Sequence, residues 1–389
     1  MQKKFYTKRQ HYVPRFLLRN FSPDGRSISM LVLKTGKRVA GASLAGQCYG
    51  DYFYGDDGSM ELAFGQEEAF VSALLKDTTI NGLNQLNAEQ LGKLRQFVHW
   101  QRARTQGMVD QLNCRTNTIF KSIMKEIMQN NQNLEFSPED LDLVEMKLTN
   151  PQNDAIYYAA GALPLMFDMM VKFIIAPKGA EFIISDHPVT ACNQFVENNS
   201  WLSRRRGWTG LAIKGLQLFM PISPFVSMAV YDSSTYNFGS PKSVICHAGK
   251  LDISRLNRLQ AINAVSCIYF SEKFYQEELD IICSQRVEHR PARETEVSMG
   301  PLIWNSDGTG RQKMAITGVD LRIQGGFSFV RILDKKTYRK YDSDILPIRN
   351  KQLLELARRF SAHLDRKVEE GRAKRGHGDR PDGPPVSDP

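Results

Sequence analysis

The sequence predicts an α+β protein in which an N-terminal helical portion packs on a mostly antiparallel sheet, followed by a divergent C-terminal extension. Two observations lead to this prediction. Apolar residues recur at helical spacing through most of the first half of the chain, whereas short β-rich runs dominate residues 181–271. Helices grouped before strands are typical of α+β folds, because α/β folds alternate the two.

The chain opens with a short helix and a hairpin. In "RQHYVPRFLLRNFSPDG" (9–25), Pro14 suits the first position of a helix, and "SPDG" suits a type I turn. "SISMLVL" (27–33) then alternates as a strand does, and "KTGK" turns the chain back.

Helical patterns fill the next part of the chain. "MELAFGQEEAFVSALLKD" (60–77) has helical periodicity, and a long helix is predicted from a capping pattern at Asn87 through residue 128. "SPED" (137–140) has the serine, proline and acidic residues of a helix start. Residues 152–174 are sufficiently apolar to form a buried helix.

Strand patterns follow, and then the pattern loosens beyond residue 290. The predicted elements are strands at 181–185, 216–223, 225–232 and 265–271, a helix near 254–264, a strand at 326–333 and a helix over 349–371. We expect a core domain over 1–290, a strand and helix extension over 291–371, and a disordered tail over 372–389, which is rich in Gly, Pro and charge.

Composition narrows the class of protein. The chain has 389 residues, of which 42% are hydrophobic and 24% charged, as in ordinary globular proteins. Its six cysteines are scattered without a C-x-x-C pair, which argues against a zinc ribbon or a disulfide scaffold. No secretory signal is visible, and the most apolar stretch is interrupted by Pro164, Asp168 and Lys172. We therefore expect a soluble cytoplasmic protein with no membrane partner.

The motifs of several enzyme classes are absent from the sequence. It contains no G-x-x-x-x-G-K-[ST], G-x-G-x-x-G, H-E-x-x-H or G-x-S-x-G. P-loop, Rossmann, zincin and α/β-hydrolase interpretations are thereby excluded.

Positive charge points to a phosphate-bearing partner. The net charge is +9, residues 1–20 contain six Lys or Arg and no acid, and "SRRRGW" (203–208) is a second basic run with Trp201 nearby. Arg102 lies on a predicted helical stripe with Arg95, His99 and Gln106 that would suit a phosphate-tracking groove. The candidate nucleic-acid-binding residues are Arg15, Arg19, Arg102, Arg204 and Arg205.

His11 is the candidate general acid or base. Neighbouring arginines would lower the pKa of its imidazole and place it beside a phosphodiester. The structural alternative is that His11 and Tyr12 lock the N-terminus onto the rest of the protein through hydrogen bonds at the helix start.

Three carboxylates form a candidate metal site. Glu61 and Glu68 are seven residues apart and share a helix face, and Asp186 ends an apolar strand. Together they could hold Mg²⁺ or Mn²⁺ for hydrolysis of a phosphodiester, with His187 as a proton carrier. Alternatively, they belong to an ordinary helix surface and a turn, or they pair with arginines, which would occupy them.

Four segments carry a resemblance to a known family. "QHYVPRFLLRNF", "MELAFGQEEAF", the "QRAR" helix and "FIISDHPV" occur in this order, followed by "PISP" (221–224) and "LNRLQAINAVSCIYFS" (256–271). Together they resemble the bacterial family catalogued as domain of unknown function 4238, over roughly residues 8–272. The resemblance bears on fold and boundaries and implies no settled activity.

Three functional hypotheses follow. The first is a metal-dependent phosphodiesterase or nuclease, of the kind found among bacterial defence or toxin modules, with catalytic His11, Glu61, Glu68 and Asp186. The second is a non-catalytic module that binds nucleic acid or protein and whose polar motif is structural. The third assigns the function to the C-terminal extension, for example as the contact for a protein partner.

Overall fold

The structure is a computed structural model, and it has the α+β architecture that the sequence predicts. It describes residues 7–77, 79–130, 137–200, 202–204, 207–274, 276–289, 296–304, 310–317, 326–333 and 346–376. The helices are, in chain order, α1 (Arg15–Arg19), α2 (Ser59–Leu74), α3 (Ile80–Asn84), α4 (Ala88–Ala103), α5 (Gln106–Asn130), α6 (Pro138–Leu143), α7 (Pro151–Ala162), α8 (Gln194–Glu197), α9 (Lys250–Asn263), α10 (Gln276–His289) and α11 (Lys351–Gly376).

The strands form mainly antiparallel sheets. They are β1 (Arg9–His11), β2 (Ser27–Val32), β3 (Lys37–Ser43), β4 (Tyr49–Asp51), β5 (Met169–Ile175), β6 (Ile184–Ser185), β7 (Thr190–Cys192), β8 (Gln217–Ser223), β9 (Val226–Asp232), β10 (Tyr236–Phe238), β11 (Ile245–His247), β12 (Cys267–Phe270), β13 (Glu296–Trp304), β14 (Gly310–Thr317) and β15 (Val330–Ile332).

A five-stranded sheet and a four-stranded sheet organise the core. The first has the order β11-β5-β9-β8-β7, in which only β11 and β5 run parallel, and the second has the order β3-β2-β12-β6. β1 pairs with β4, β10 with β15, and β13 with β14. Because neighbouring side chains on a strand point to opposite faces, the larger sheet buries an apolar surface on each side.

Helices cover both faces of the five-stranded sheet. On one face, apolar side chains of β5, β8 and β9 pack with Leu17 and Leu18 of α1 and with Leu94 and Phe97 of α4. On the other face the sheet packs with α8, α9 and the segment around Phe327. Helix α4 therefore lies at the centre of the molecule, and its C-terminal end is where the candidate site forms.

Helix α4 begins as predicted and ends earlier than predicted. Asn87 Oδ1 accepts from the Gln90 amide and Gln90 Oε1 accepts from the Asn87 amide, both at 2.9 Å, which forms a capping box. The single helix predicted through residue 128 is in fact two helices, because α4 stops at Ala103 and α5 starts at Gln106. The hydroxyl of Thr105 accepts from the amide of Met108 at 3.3 Å, so this threonine caps the new helix.

The apolar stretch 152–174 differs from the prediction in a similar way. Helix α7 ends at Ala162, a 3₁₀ turn at Leu163–Met166 follows, and β5 begins at Met169. Pro164 cannot continue the α-helix, and the apolar residues after it fill the core as a central strand instead.

The described part of the C-terminal extension is packed onto the core. Arg349 Nε donates to both carboxylate oxygens of Asp168 at 3.0 and 3.1 Å, and Tyr157 on α7 hydrogen-bonds Asp365 on α11. Residues 372–376 of the predicted tail continue helix α11, and residues 377–389 lie outside the described residues. Within the described part of the chain, none of the helices combines the length and apolar character that a bilayer crossing requires.

Candidate functional site

The junction between α4 and α5 is built around the buried guanidinium of Arg104. This residue is 2% exposed, and its Nη1 donates to Glu68 Oε1 on α2 at 2.7 Å. Its Nε donates to Gln101 Oε1 at 2.9 Å, and its plane lies over the rings of Phe64 and Phe97. Charge-assisted hydrogen bonds and ring contacts thus join α2 to the end of α4.

The same junction fixes the N-terminal segment. Gln101 Nε2 donates to the carbonyl oxygen of Tyr12 at 2.9 Å, and the hydroxyl of Tyr54 donates to the carbonyl oxygen of Arg104 at 3.2 Å. Gln10 is fully buried, accepts from the amide of Tyr54 at 2.6 Å and donates to the carbonyl oxygen of Gly55 at 2.9 Å. The segment around His11 is therefore held in place by neutral side chains.

A third segment reaches the junction through His187. Its Nδ1 lies 2.5 Å from Oγ1 of Thr105, and both residues are buried. Gly107 has no room for a side chain here, since a Cβ would come within 2.9 Å of the His187 ring. His187 therefore connects the strand end after β6 to the start of α5.

Asp186 is held by backbone amides. It is 4% exposed, and its carboxylate accepts from the amides of Val265, Ser266 and Cys267 at 2.8, 2.7 and 3.1 Å. These amides lead into β12, which pairs with β6, so the carboxylate secures the link between two strands. These amides lie 79 to 81 residues further along the chain, whereas the turn interpretation has Asp186 cap its own backbone. The three hydrogen bonds satisfy the buried carboxylate.

Glu61 and Glu68 do lie on one helix, and Glu67 joins them. Burial raises the pKa of Glu61, the charge of Glu68 raises it further, and Arg104 opposes both effects. Burial also raises the pKa of Glu67, and Arg104 again opposes the shift. The carboxylates of this helix therefore share one buried arginine.

The predicted metal ligands are not gathered into a metal site. Across the residues that the structure describes, no group of three or more His, Cys, Asp or Glu side chains is arranged to hold a metal ion. Glu68 is paired with Arg104, and Asp186 accepts from three amides. Binding of Mg²⁺ or Mn²⁺ stays a prediction.

His11 lies on β1, half-buried beside Tyr49 of β4, with ring centres 5.9 Å apart. Burial lowers the pKa of the imidazole, and the charges of Arg15 and Arg9 lower it further, against a hydrogen bond with the backbone of Ala45. Its Nε2 is buried and has no hydrogen-bond partner among the described residues. The lowered pKa agrees in direction with the sequence prediction, and a role of His11 as general acid or base stays a prediction.

Arg15 and Arg19 are exposed at the two ends of α1, one helical turn apart. Arg9 is exposed as well, and its guanidinium lies 5.0 Å from the centre of the Tyr49 ring. No ion pair joins any of these three arginines to a carboxylate of the described residues. We call Arg9, Arg15 and Arg19 the arginine ridge.

Two members of the predicted stripe, Arg95 and His99, bind backbone carbonyl groups of neighbouring elements. Arg95 Nη1 donates to the carbonyl oxygen of Met169 at 2.9 Å, and His99 Nε2 donates to the carbonyl oxygen of Ala159 at 2.7 Å. Arg102 is half-buried, and burial lowers its pKa. Arg95 and His99 thus contact β5 and α7, and nucleic-acid binding by Arg102 stays a prediction.

The second basic run gives little support to an interleaved cation and aromatic surface. Trp208 is buried in the core at 2% exposure. Arg204 ends the 3₁₀ turn Leu202–Arg204, whereas Trp201 and Arg205 lie outside the described residues.

The sequence did not single out Arg104, Gln101 or Thr105, which form the junction. The available signal was the "QRART" segment itself, where two arginines two positions apart must point about 200° apart on a helix. The two arginines therefore face different surroundings: Arg104 is buried and paired with Glu68, whereas Arg102 is half-buried.

Comparison with known proteins is consistent with the resemblance seen in the sequence. The model of a family described as "Protein of unknown function (DUF4238)" matches residues 9–274, which include every segment of the junction. No curated protein and no solved structure matches the chain.

Replacing Asp186 tests the amide network. Asp186→Asn should lower the free energy of unfolding by about 2–4 kcal/mol, because one amide group would face backbone donors and leave them unsatisfied. Asp142→Asn is the control, since this carboxylate is 73% exposed and 3.8 Å from Lys121 Nζ, and it should cost less than about 0.5 kcal/mol. Urea denaturation measures both values, and an equal cost for the two would contradict the structural role.

The titration of His99 makes the free energy of unfolding depend on pH. Burial, aided by the charge of Arg102, lowers the pKa of its imidazole to about 4, against the hydrogen bond to Ala159. The unfolded chain, with a histidine pKa of about 6.5, binds the proton first, so stability is lost as the pH falls from about 6.5 to 4. Between about pH 8 and pH 5 the loss is about 2 kcal/mol.

Urea denaturation of the wild type and of His99→Gln at both pH values isolates this contribution. The glutamates with raised pKa values are common to both proteins, so their effect cancels in the difference. The variant should lack the loss of about 2 kcal/mol, and an identical pH dependence in both proteins would refute the assignment.

Proposed function

The chain belongs to the DUF4238 family, and we propose that it binds nucleic acid through the arginine ridge. One observation carries this proposal: Arg9, Arg15 and Arg19 are exposed and have no carboxylate partner among the described residues. Unpaired guanidinium groups on a surface are the ligands that a phosphate backbone requires, and they supply the salt-dependent part of its affinity.

The contrast with the other arginines supports this proposal. Arg104 and Arg349 are buried and each forms an ion pair with a carboxylate, and Arg38 pairs with Asp280. The guanidinium groups of the arginine ridge, by comparison, have no carboxylate partner among the described residues, so they can bind an external partner. The net charge of +9 favours the approach of a polyanion to the molecule as a whole.

The ridge is carried on a segment that the core holds in place. Leu17 and Leu18 of α1 are fully buried, and Asn20 Nδ2 donates to the carbonyl oxygen of Ile222 on β8 at 2.7 Å. β1 is paired with β4 and anchored by Gln10. Binding would therefore order only the arginine side chains, which limits its entropic cost.

Metal-dependent cleavage of a phosphodiester is the second candidate, and His11 favours it. The imidazole adjoins the ridge, and burial together with the charges of Arg15 and Arg9 lowers its pKa, which suits a general base near neutral pH. In this mechanism Glu61, Glu68 and Asp186 would hold Mg²⁺ or Mn²⁺, which requires Glu68 to leave Arg104 and Asp186 to leave three amides. We therefore rank nucleic-acid binding above phosphodiester cleavage as the proposed function.

We propose a cytoplasmic location together with this function. Cys48, Cys192, Cys246 and Cys267 form no disulfide bond, as expected where thiols stay reduced.

The ridge predicts a specific effect on salt dependence. The double variant Arg15→Ala/Arg19→Ala should bind a labelled oligonucleotide at least about tenfold more weakly than the wild type, and its slope of log affinity against log salt should be shallower by about 1.5. The matched control is Arg358→Ala/Arg359→Ala, because these exposed arginines on α11 both contact Glu355. Fluorescence anisotropy at several salt concentrations measures both.

The same samples test cleavage. Labelled RNA, single-stranded DNA and duplex DNA are incubated with Mg²⁺ or Mn²⁺ and with EDTA, beside Glu68→Gln and His11→Ala. Metal-dependent products that both variants lose would establish the second candidate. Absence of salt-dependent binding, or equal weakening by the control pair, would reject the ridge as the binding surface.

A further inference from the structure

Tyr52 combines an unfavourable backbone conformation with an exposed ring. Its φ is 50°, in the left-handed region that a bulky residue rarely occupies. Its amide donates to the carbonyl oxygen of Lys8 at 2.7 Å, and its own carbonyl oxygen accepts from the amide of Gly55 at 2.9 Å, so the conformation is held from both sides. The ring is nevertheless 46% exposed, and burial does not explain why a tyrosine stands here.

The ring stands at the end of the β1–β4 ribbon, which also carries part of the arginine ridge. Strand pairing sets His11 opposite Tyr49 and Arg9 opposite Asp51, the residue before Tyr52. The guanidinium of Arg9 lies over the half-buried ring of Tyr49. One ridge arginine, Arg9, and the aromatic side chains of Tyr49 and Tyr52 therefore lie on or beside one short ribbon. We call Tyr49 and Tyr52 the tyrosine platform.

Asp51, the residue before Tyr52, is paired with a lysine. Lys8 Nζ lies 3.1 Å from Asp51 Oδ2, and the Asp51 hydrogen bond and charge raise the pKa of this lysine. Asp57 accepts from the amide and the hydroxyl of Ser59 at the start of α2. The pKa of Asp57 is lowered by these hydrogen bonds. Asp51 is thus ion-paired, whereas Arg9, Arg15 and Arg19 have no carboxylate partner among the described residues.

We infer that the ligand of this site is a single-stranded nucleic acid, an inference that rests on the proposed nucleic-acid-binding function. One base stacks on Tyr52, and the arginine ridge binds the neighbouring phosphates. A base exposes its face only when it is unpaired and unstacked from a neighbour, so a duplex cannot use the platform. Every base has such a face, and sequence preference is therefore weak. Because Tyr52 is held before binding, the ring is presented without the cost of ordering a loop.

Fluorescence anisotropy with matched probes tests this inference. The full chain is titrated with an unstructured oligo-dT, an oligo-U and a hairpin duplex of equal nucleotide number, at one salt concentration. The wild type should bind the single strands at least about tenfold more tightly than the duplex. The oligo-dT and oligo-U arms show whether the sugar matters.

Substitution of the ring separates stacking from charge. Tyr52→Ala should weaken single-strand binding about tenfold and leave duplex binding unchanged, whereas Tyr52→Phe keeps the ring and should stay within about twofold of the wild type. Tyr158→Ala on α7 is the control, because that ring is 59% exposed and distant in sequence. Both substitutions place an L residue in the same left-handed backbone conformation, so the two variants should be equally stable. Thermal melting of both variants checks this.

Photocrosslinking of the wild type provides a readout that needs no substitution. A strand carrying 4-thiouridine should crosslink to the peptide that contains Tyr52. Equal affinity for duplex and single strand would overturn the inference, and so would equal binding by Tyr52→Ala and Tyr52→Phe. In either case the arginine ridge would remain the proposed binding surface if Arg15→Ala/Arg19→Ala still weakens binding. No binding of any probe would overturn both proposals.

Discussion

The ion pair between Arg104 and Glu68 is the interaction on which the arrangement of the site depends. Arg104 is buried where α4 ends, and its guanidinium contacts α2 through Glu68 and the end of its own helix through Gln101. Gln101 in turn holds the carbonyl group of Tyr12. Loss of one partner of a buried pair costs about 3–5 kcal/mol, because the remaining charge stays in a poorly hydrated site. The position of the N-terminal strand thus depends on an arginine about ninety residues away.

This constraint divides the polar residues into two groups with different physical roles. Charges inside the junction are compensated by one another or by backbone amides, as Glu68 and Asp186 are. The arginine ridge and the tyrosine platform lie on the outside of the segment that the junction holds. We therefore expect substitutions inside the junction to act on folding first, and substitutions outside it to act on binding first.

The sequence predicts those parts of the fold that depend on neighbouring residues. The capping box at Asn87 and the helix that carries Glu61 and Glu68 follow from local spacing and are confirmed. The break after α4 has no Pro to indicate it, and Gly107 lies just beyond it, inside α5. Thr105 caps α5 through a hydroxyl that also contacts His187, a residue far along the chain. The partners of Asp186 come from 79 to 81 residues further along the chain, and only the folded chain brings them together.

A double-mutant cycle on Arg104 and Glu68 tests the central claim most directly. The free energy of unfolding and the affinity for oligo-dT are measured for the wild type, Glu68→Gln, Arg104→Met and the double variant. The account predicts a coupling of at least about 2 kcal/mol in stability. It also predicts that Glu68→Gln, once folded, keeps the affinity of the wild type. A coupling near zero, or a loss of nucleic-acid affinity in Glu68→Gln at unchanged stability, would show that Glu68 acts on the ligand and would contradict the account.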